Sequence, residues 1–147
     1  MKAKDFFRQV ARAEREMKLL QAQVRHYEDL GFSISGGGMD SPVVSHSRGS
    51  SRVEASAIGI YSATEELRAK IADFEAVVRH ARLVIDQVAQ EKYRQILTLR
   101  YLAGWSFRSI SDELRYNDPN SIYRAHGWAL NEAQKVLNRE GKNGKDV

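Results

Sequence analysis

A chain of 147 residues with no cysteine and a net charge of +4 has room for one ordinary domain or two small units. The absence of thiols excludes structural disulfides and thiolate metal sites, and no apolar run approaches the length of a membrane span. From Lys92 to Val147 there are ten Lys or Arg against six Asp or Glu, while the preceding residues hold thirteen of each, so the cationic excess falls in the C-terminal part.

Two segments repeat their apolar residues every 3.5 positions. In the first, Phe6, Val10, Ala13, Met17, Leu20, Val24 and Tyr27 alternate at steps of four and three. In the second, Val53, Ala57, Ile60, Thr64, Leu67, Ile71, Phe74, Val78, Ala81, Ile85 and Val88 do the same. Such spacing places one apolar stripe along each helix and predicts helices packed by knobs into holes. Arg12, Glu16, Glu65, Arg68 and Glu75 fall off the stripes, where a solvated face requires them.

Between the stripes, residues 31–52 contain five glycines, seven serines and Pro42, a composition that predicts a flexible linker. A Gly-rich run can also cradle phosphate, but no strand precedes this one and no Gly-Lys-Ser/Thr follows it. With a linker there, the helices fold back as a long antiparallel coiled-coil hairpin over residues 1–90. The stripes are unequal, and positions are doubled at Phe6–Phe7, Leu19–Leu20, Val77–Val78 and Val84–Ile85. A stripe wider than a two-stranded seam needs points to further helices in contact, and hence to a homodimer through this region.

After Val88 the heptad phase breaks, and no Pro or Gly marks the boundary near Gln90. Ile96, Leu97, Leu99, Tyr101 and Leu102 continue as a helix that Gly104 ends. Ser106 is placed to cap a short helix, Phe107 to Leu114, with Phe107, Ile110, Ser111 and Leu114 on one face. Tyr116-Asn117-Asp118-Pro119 reads as a turn. Asp118 would cap the last helix and Pro119 take its first position, where a missing N–H costs nothing. That helix runs to about Arg139, its inward stripe Ile122, Ala125, Ala129, Ala133 and Val136/Leu137, and residues 140–147 read as a disordered tail.

Facing outward at its start are Asn120, Ser121, Tyr123 and Arg124, with Gly127 and Asn131 one and two turns on. A short helix, a turn and a longer helix with polar and basic groups at its start is the arrangement of a helix-turn-helix, whose second helix reads base edges in the major groove. The predicted fold is thus all-α, a coiled-coil hairpin followed by a helix-turn-helix over residues 91–139.

The run KYRQILTLRYLAGWSFRSISDEL resembles the helices that open region four of bacterial sigma factors, and IYRAHGWALNEAQKVL resembles the corresponding recognition helix. Closer still is the similarity to small phage-encoded, sigma-like transcription regulators of Gram-positive hosts. Tyr116, Arg124, His126, Ala129 and Leu130 match the pattern of those proteins. The motifs cover about 45 residues, and the N-terminal part is alike in architecture only. Two departures stand out: Ser109 replaces the usual acidic residue three positions after the cap, and the turn before Ile122 is one residue longer.

The resemblance implies a cytoplasmic transcription regulator of double-stranded DNA that also contacts host RNA polymerase. The candidate DNA contacts are Asn120, Ser121, Tyr123, Arg124, His126, Arg108, Arg115 and Trp128. Arg124 is the foremost, because a bidentate Arg–guanine pair discriminates by about 1–3 kcal/mol. Tyr123 and Trp128 also fit a packing role, His126 an internal hydrogen bond, and Arg108 and Arg115 a phosphate contact or a solvated surface. Gly127 admits close approach by DNA or by a neighbouring helix.

No catalytic constellation emerges. His26, His46, His80 and His126 lack ligand spacing, no nucleophile motif or nucleotide loop is present, and no metal or cofactor is expected. Two other classes fit the same elements: a small terminase-like DNA-packaging subunit, and a coiled-coil adaptor whose helix-turn-helix contacts protein alone.

Overall fold

The computed structural model describes residues 1–36 and 47–144. Its elements are α1 (Ala3–Gly36), α2 (Ser47–Asp86), α3 (Glu91–Leu97), a π-helical turn (Thr98–Leu102), α4 (Phe107–Glu113) and α5 (Pro119–Asn143). No strand occurs among the described residues, so the chain is all-α. No helix among them is long and apolar enough to cross a membrane. Two compact units form, one from Met1–Arg15 with Glu75–Val147, the other from Glu16–Phe74.

Both long helices extend into the Gly/Ser-rich stretch. Once nucleated, a helix gains one hydrogen bond for each residue fixed, and this carries α1 through Gly36 and starts α2 at Ser47. Of the expected linker, residues 37–46 lie outside the described residues. In the Glu16–Phe74 unit Met17, Leu20, Thr64 and Leu67 are buried, all of them on the predicted stripes. A Cβ on Gly31 would lie 3.8 Å from Ile60 Cγ2, and Arg68 pairs with Glu28 at 2.7 Å. Thr64 returns its hydroxyl to the Ile60 carbonyl at 2.8 Å, which lets a polar residue occupy the stripe.

The other unit has one core. Phe6, Phe7 and Val10 of α1 meet Ala81, Val84, Ile85 and Val88 from α2 and its end. Ile96, Leu97, Tyr101, Ile110 and the inner stripe of α5, Ile122, Ala125, Ala129, Ala133 and Val136, complete it. This overturns the expected homodimer. Both members of the doubled pairs Phe6–Phe7 and Val84–Ile85 are buried by the chain's own C-terminal helices, and at the other two pairs Leu19 and Val77 stand exposed beside buried partners. The unequal stripes also belong to helices of 34 and 40 residues, a difference of only about 9 Å in length.

Caps define the remaining boundaries. α2 ends at Asp86 without Gly or Pro, and Arg94 Nη1 donates to the carbonyls of Val88 (2.6 Å) and Ala89 (2.8 Å), satisfying orphan acceptors of the connection. At Gly104 φ is +75°, and Trp105 N donates to Leu99 O at 2.9 Å, closing the widened π turn. At the far end α5 continues one turn beyond Arg139 to Asn143, with Gly144 N bonded to Glu140 O. Glu140, expected in a disordered tail, instead lies in this helix 2.8 Å from His80 Nε2. Residues 145–147 lie outside the described residues.

Candidate nucleic-acid interface

The candidate residues cluster on α4, the start of α5 and the turn between them. Ser106 caps α4 by accepting from Ser109 N at 3.1 Å, and its hydroxyl donates to Ser109 Oγ at 2.9 Å. Ser109 thus gives the turn a hydroxyl pair where a capping box would use a carboxylate. The helix then ends in a Schellman motif: Tyr116 N donates to Ser111 O (2.9 Å) and Arg115 N to Asp112 O (3.3 Å). Arg115 occupies its left-handed position with φ +60°, where glycine is the usual occupant. The turn therefore begins at Leu114, two residues before the predicted Tyr116.

Asp118 accepts from Asn120 N at 2.9 Å and Pro119 opens α5, the arrangement expected from their order. The second carboxylate oxygen of Asp118 lies 3.6 Å from Arg124 Nη2, with both side chains more than half exposed. The cap thus holds the guanidinium over the first turn of α5, where solvent screening leaves the pair weak enough to exchange for another anion. Asn120, Tyr123 and Trp128 are exposed beside it, and Ser121 is half-buried. A Cβ on Gly127 would meet nothing within 4 Å among the described residues, which removes a neighbouring helix as the reason for glycine there.

Arg108 and Arg115 stand exposed on and after α4. Tyr123 packs its ring on Phe107 with centroids 5.0 Å apart, so it is both exposed and positioned. Trp128 borders a shallow depression with Gln90, Tyr93 and Lys135, a turn further along α5 and to one side.

His126 differs from the rest of the set. Its Nε2 is hydrogen-bonded to Tyr101 Oη at 2.7 Å, and its ring meets Phe107 edge-on at 4.8 Å. Burial, with the nearby charges of Arg100 and Lys4, lowers its pKa from 6.5 to about 4, so the imidazole is neutral near pH 7. Burial pushes the Tyr101 phenol up against smaller opposing effects of Arg100 and Arg8. Of the roles open to His126 in the sequence, the internal hydrogen bond is the one the geometry contains.

Two contributors escape the sequence patterns. Arg100 spreads its guanidinium 4.1 Å from the Phe107 ring centre and donates to Trp105 O at 3.0 Å, locking the connection before α4. Asp118 acts as the partner of Arg124 besides capping. A cation six residues after an acidic cap is a readable signal for the second; nothing local marks the first. Among the described residues no three His, Asp or Glu side chains gather as a metal site.

No family model matches this chain, and neither the curated proteins nor the solved structures contain a match to it. Two of the expected partners, the second copy inferred from the doubled stripes and the RNA polymerase implied by the resemblance, are corrected. The chain's own helices fill the space allotted to a second copy, and the polymerase contact, which rested on the resemblance alone, has no support from the comparisons.

Proposed function

We propose that the protein is a sequence-specific double-stranded DNA-binding transcription regulator. In this reading α4 and α5 form a helix-turn-helix of the kind found in sigma region four and in small phage-encoded regulators, and α1 with α2 forms a helical hairpin. The observation that carries it is the split character of α5. Its inner stripe is buried in the core, which fixes its position, while Asn120, Tyr123 and Arg124 stand in solvent at its N-terminal end. A recognition helix needs that rigidity, because base contacts tolerate little displacement.

In this mechanism Arg124 exchanges Asp118 for a guanine edge, Asn120 and Tyr123 contact neighbouring bases or sugars, and Arg108 and Arg115 hold phosphates on either side. His126 supports the helix from behind through Tyr101.

The test is selection of bound sites from a random duplex pool, repeated with Arg124→Ala and followed by titration across salt. Enrichment of a defined site whose preference at one position weakens by about 1–3 kcal/mol in the variant supports the reading. An affinity without salt dependence would instead indicate a protein-interaction adaptor. Native mass of a ring of eight or more copies would indicate a packaging subunit.

A further inference from the structure

Charge counted along the chain places the excess after Glu91, but charge counted by compact unit places it elsewhere. Met1–Arg15 with Glu75–Val147 holds seventeen Lys or Arg against eleven Asp or Glu, a net of +6. Glu16–Phe74 holds six against eight, a net of −2. The first fifteen residues therefore belong electrostatically with α3 to α5.

Four of their five cations lie on one face. Lys4, Arg8, Arg12 and Arg15 follow at steps of four, four and three, which aligns them along α1, and all four are exposed. Asp5 lies 4.0 Å from Arg8 and is largely solvated, a pairing of little energetic weight, and Glu14 and Glu16 flank the far end of the stripe at Arg15.

The stripe is held close to α5 by contacts on either side of Lys4. Ala3 N donates to Gln134 Oε1 at 2.6 Å, and Gln134 Nε2 donates to Met1 O at 3.1 Å. Phe7 stacks on Tyr101 with centroids 5.0 Å apart and planes at 24°, and Tyr101 is bonded to His126, one residue before Gly127. The charge of Lys4 acts on His126 and that of Arg8 on Tyr101, so both cations are near this end of α5.

We propose that Lys4 and Arg8, continued by Arg12 and Arg15, form a second phosphate-contacting rail, so that bound duplex lies along α1 as well as against the start of α5. The inference rests on the DNA-binding reading above. Successive cations four residues apart are spaced about 6 Å along the helix axis. Contacts to phosphate position the duplex and strengthen binding without reading its sequence. The rail therefore sets affinity and salt dependence, while the α5 face sets preference.

The experiment uses the full chain, a duplex carrying the selected site and a random duplex, with anisotropy measured across potassium chloride concentrations. Lys4→Gln/Arg8→Gln should lower affinity for both duplexes by about eightfold per lost contact at 0.1 M salt, and flatten the log–log salt slope by about 0.9 per contact. The ranking of sites should not change. Lys4→Arg/Arg8→Lys, which keeps both charges, should bind as the parent does, and Arg68→Gln in the other unit should have no effect.

Unchanged affinity and slope in the double Gln variant would overturn the rail while leaving the α5 reading intact. An altered site ranking would overturn the phosphate assignment. Loss of binding in the charge-keeping pair would mean that the positions serve folding instead. Absence of salt-dependent binding by the parent chain would overturn the DNA reading itself.

Discussion

The two compact units use the same kind of helix to different effect. In Glu16–Phe74 two helical segments share a narrow seam, and its best buried side chains, Met17, Leu20, Thr64 and Leu67, each keep 8% of their surface exposed. In the other unit Phe7, Val10, Val84, Ile96, Leu97, Ile110 and Ile122 are sealed to 1% or less. A seam between two helices always leaves its flanks wet, whereas helices arriving from several directions close over a centre. The difference extends to charge, +6 against −2. The well-sealed unit is thus also the cationic one, and it holds every candidate contact residue on a rigid support.

The comparison is most directly broken by removing a side chain from the sealed core. Phe7→Ala should cost about 3–5 kcal/mol, because the ring is fully buried and stacked on Tyr101. Leu67→Ala, in the seam, should sit near the bottom of the range for such truncations, about 2 kcal/mol. Urea denaturation of both variants measures this, and equal losses would show that the seam is as well packed as the core.

The next effect concerns pH. The pKa of His126 falls from 6.5 in the unfolded chain to about 4 in the fold, so between those values the unfolded state binds the extra proton. Stability is therefore full above pH 6.5 and declines as pH drops toward 4. The loss should be about 1–2 kcal/mol once solvent screening of the half-buried ring is allowed for. Melting temperatures from pH 7 to 4 in the parent and in His126→Gln provide the test. An equal slope in both would assign the acid sensitivity to other groups.

A smaller change of opposite sign is expected at the turn. Arg115→Gly should stabilise the cationic unit by about 0.5–1 kcal/mol, since glycine adopts the left-handed conformation without strain but gives back part of the gain as unfolded-state entropy. If Arg115 also holds a phosphate, the same variant should bind duplex more weakly, and stability and affinity would move in opposite directions. The smallest effect belongs to the seam. Arg68→Ala, at an exposed ion pair with Glu28, should alter stability by less than about 0.5 kcal/mol. A larger loss would mark that pair as part of a network.

Much of the local structure was legible because it depends on a few neighbouring residues. Gly104, Ser106, Asp118 and Pro119 stand where helices end or begin, and each acts through its own backbone or a partner within six residues. The heptad stripes likewise named many of the buried residues, Phe6, Val10, Ala13, Met17 and Leu20 on one and Thr64, Leu67, Val78, Ala81, Ile85 and Val88 on the other. Of the remaining stripe positions, Val24, Tyr27, Ile60, Ile71 and Phe74 are half-buried and Ala57 is exposed. Periodicity says which face seeks cover but not what covers it. That is why the doubled pairs suggested a second copy, when α3 and α5 of the same chain fill the space.

The break after Asp86 was hidden for a related reason, since its carbonyls are satisfied by Arg94, whose side chain reaches back from the next helix. Arg115 carried no turn signal because the residue in the strained position is not glycine. At the candidate site the spacing of Arg124 and Asn120 was readable, while the inward commitment of His126 depended on Tyr101, 25 residues away.

The hydrogen bond between Ala3 and Gln134 spans 131 positions. A ribosome emits Phe7 before nearly all of the surfaces that will enclose it, and at 5–20 residues per second Ile122 follows roughly 6–23 s later. Until α3 and the turn after it emerge, the paired phenylalanines have only α2 to shelter against, whereas all of Glu16–Phe74 is by then outside and contiguous in sequence. Birth order and assembly order are therefore inverted, and the nascent chain passes through a stage in which a phenylalanine pair destined for the core lacks most of its cover.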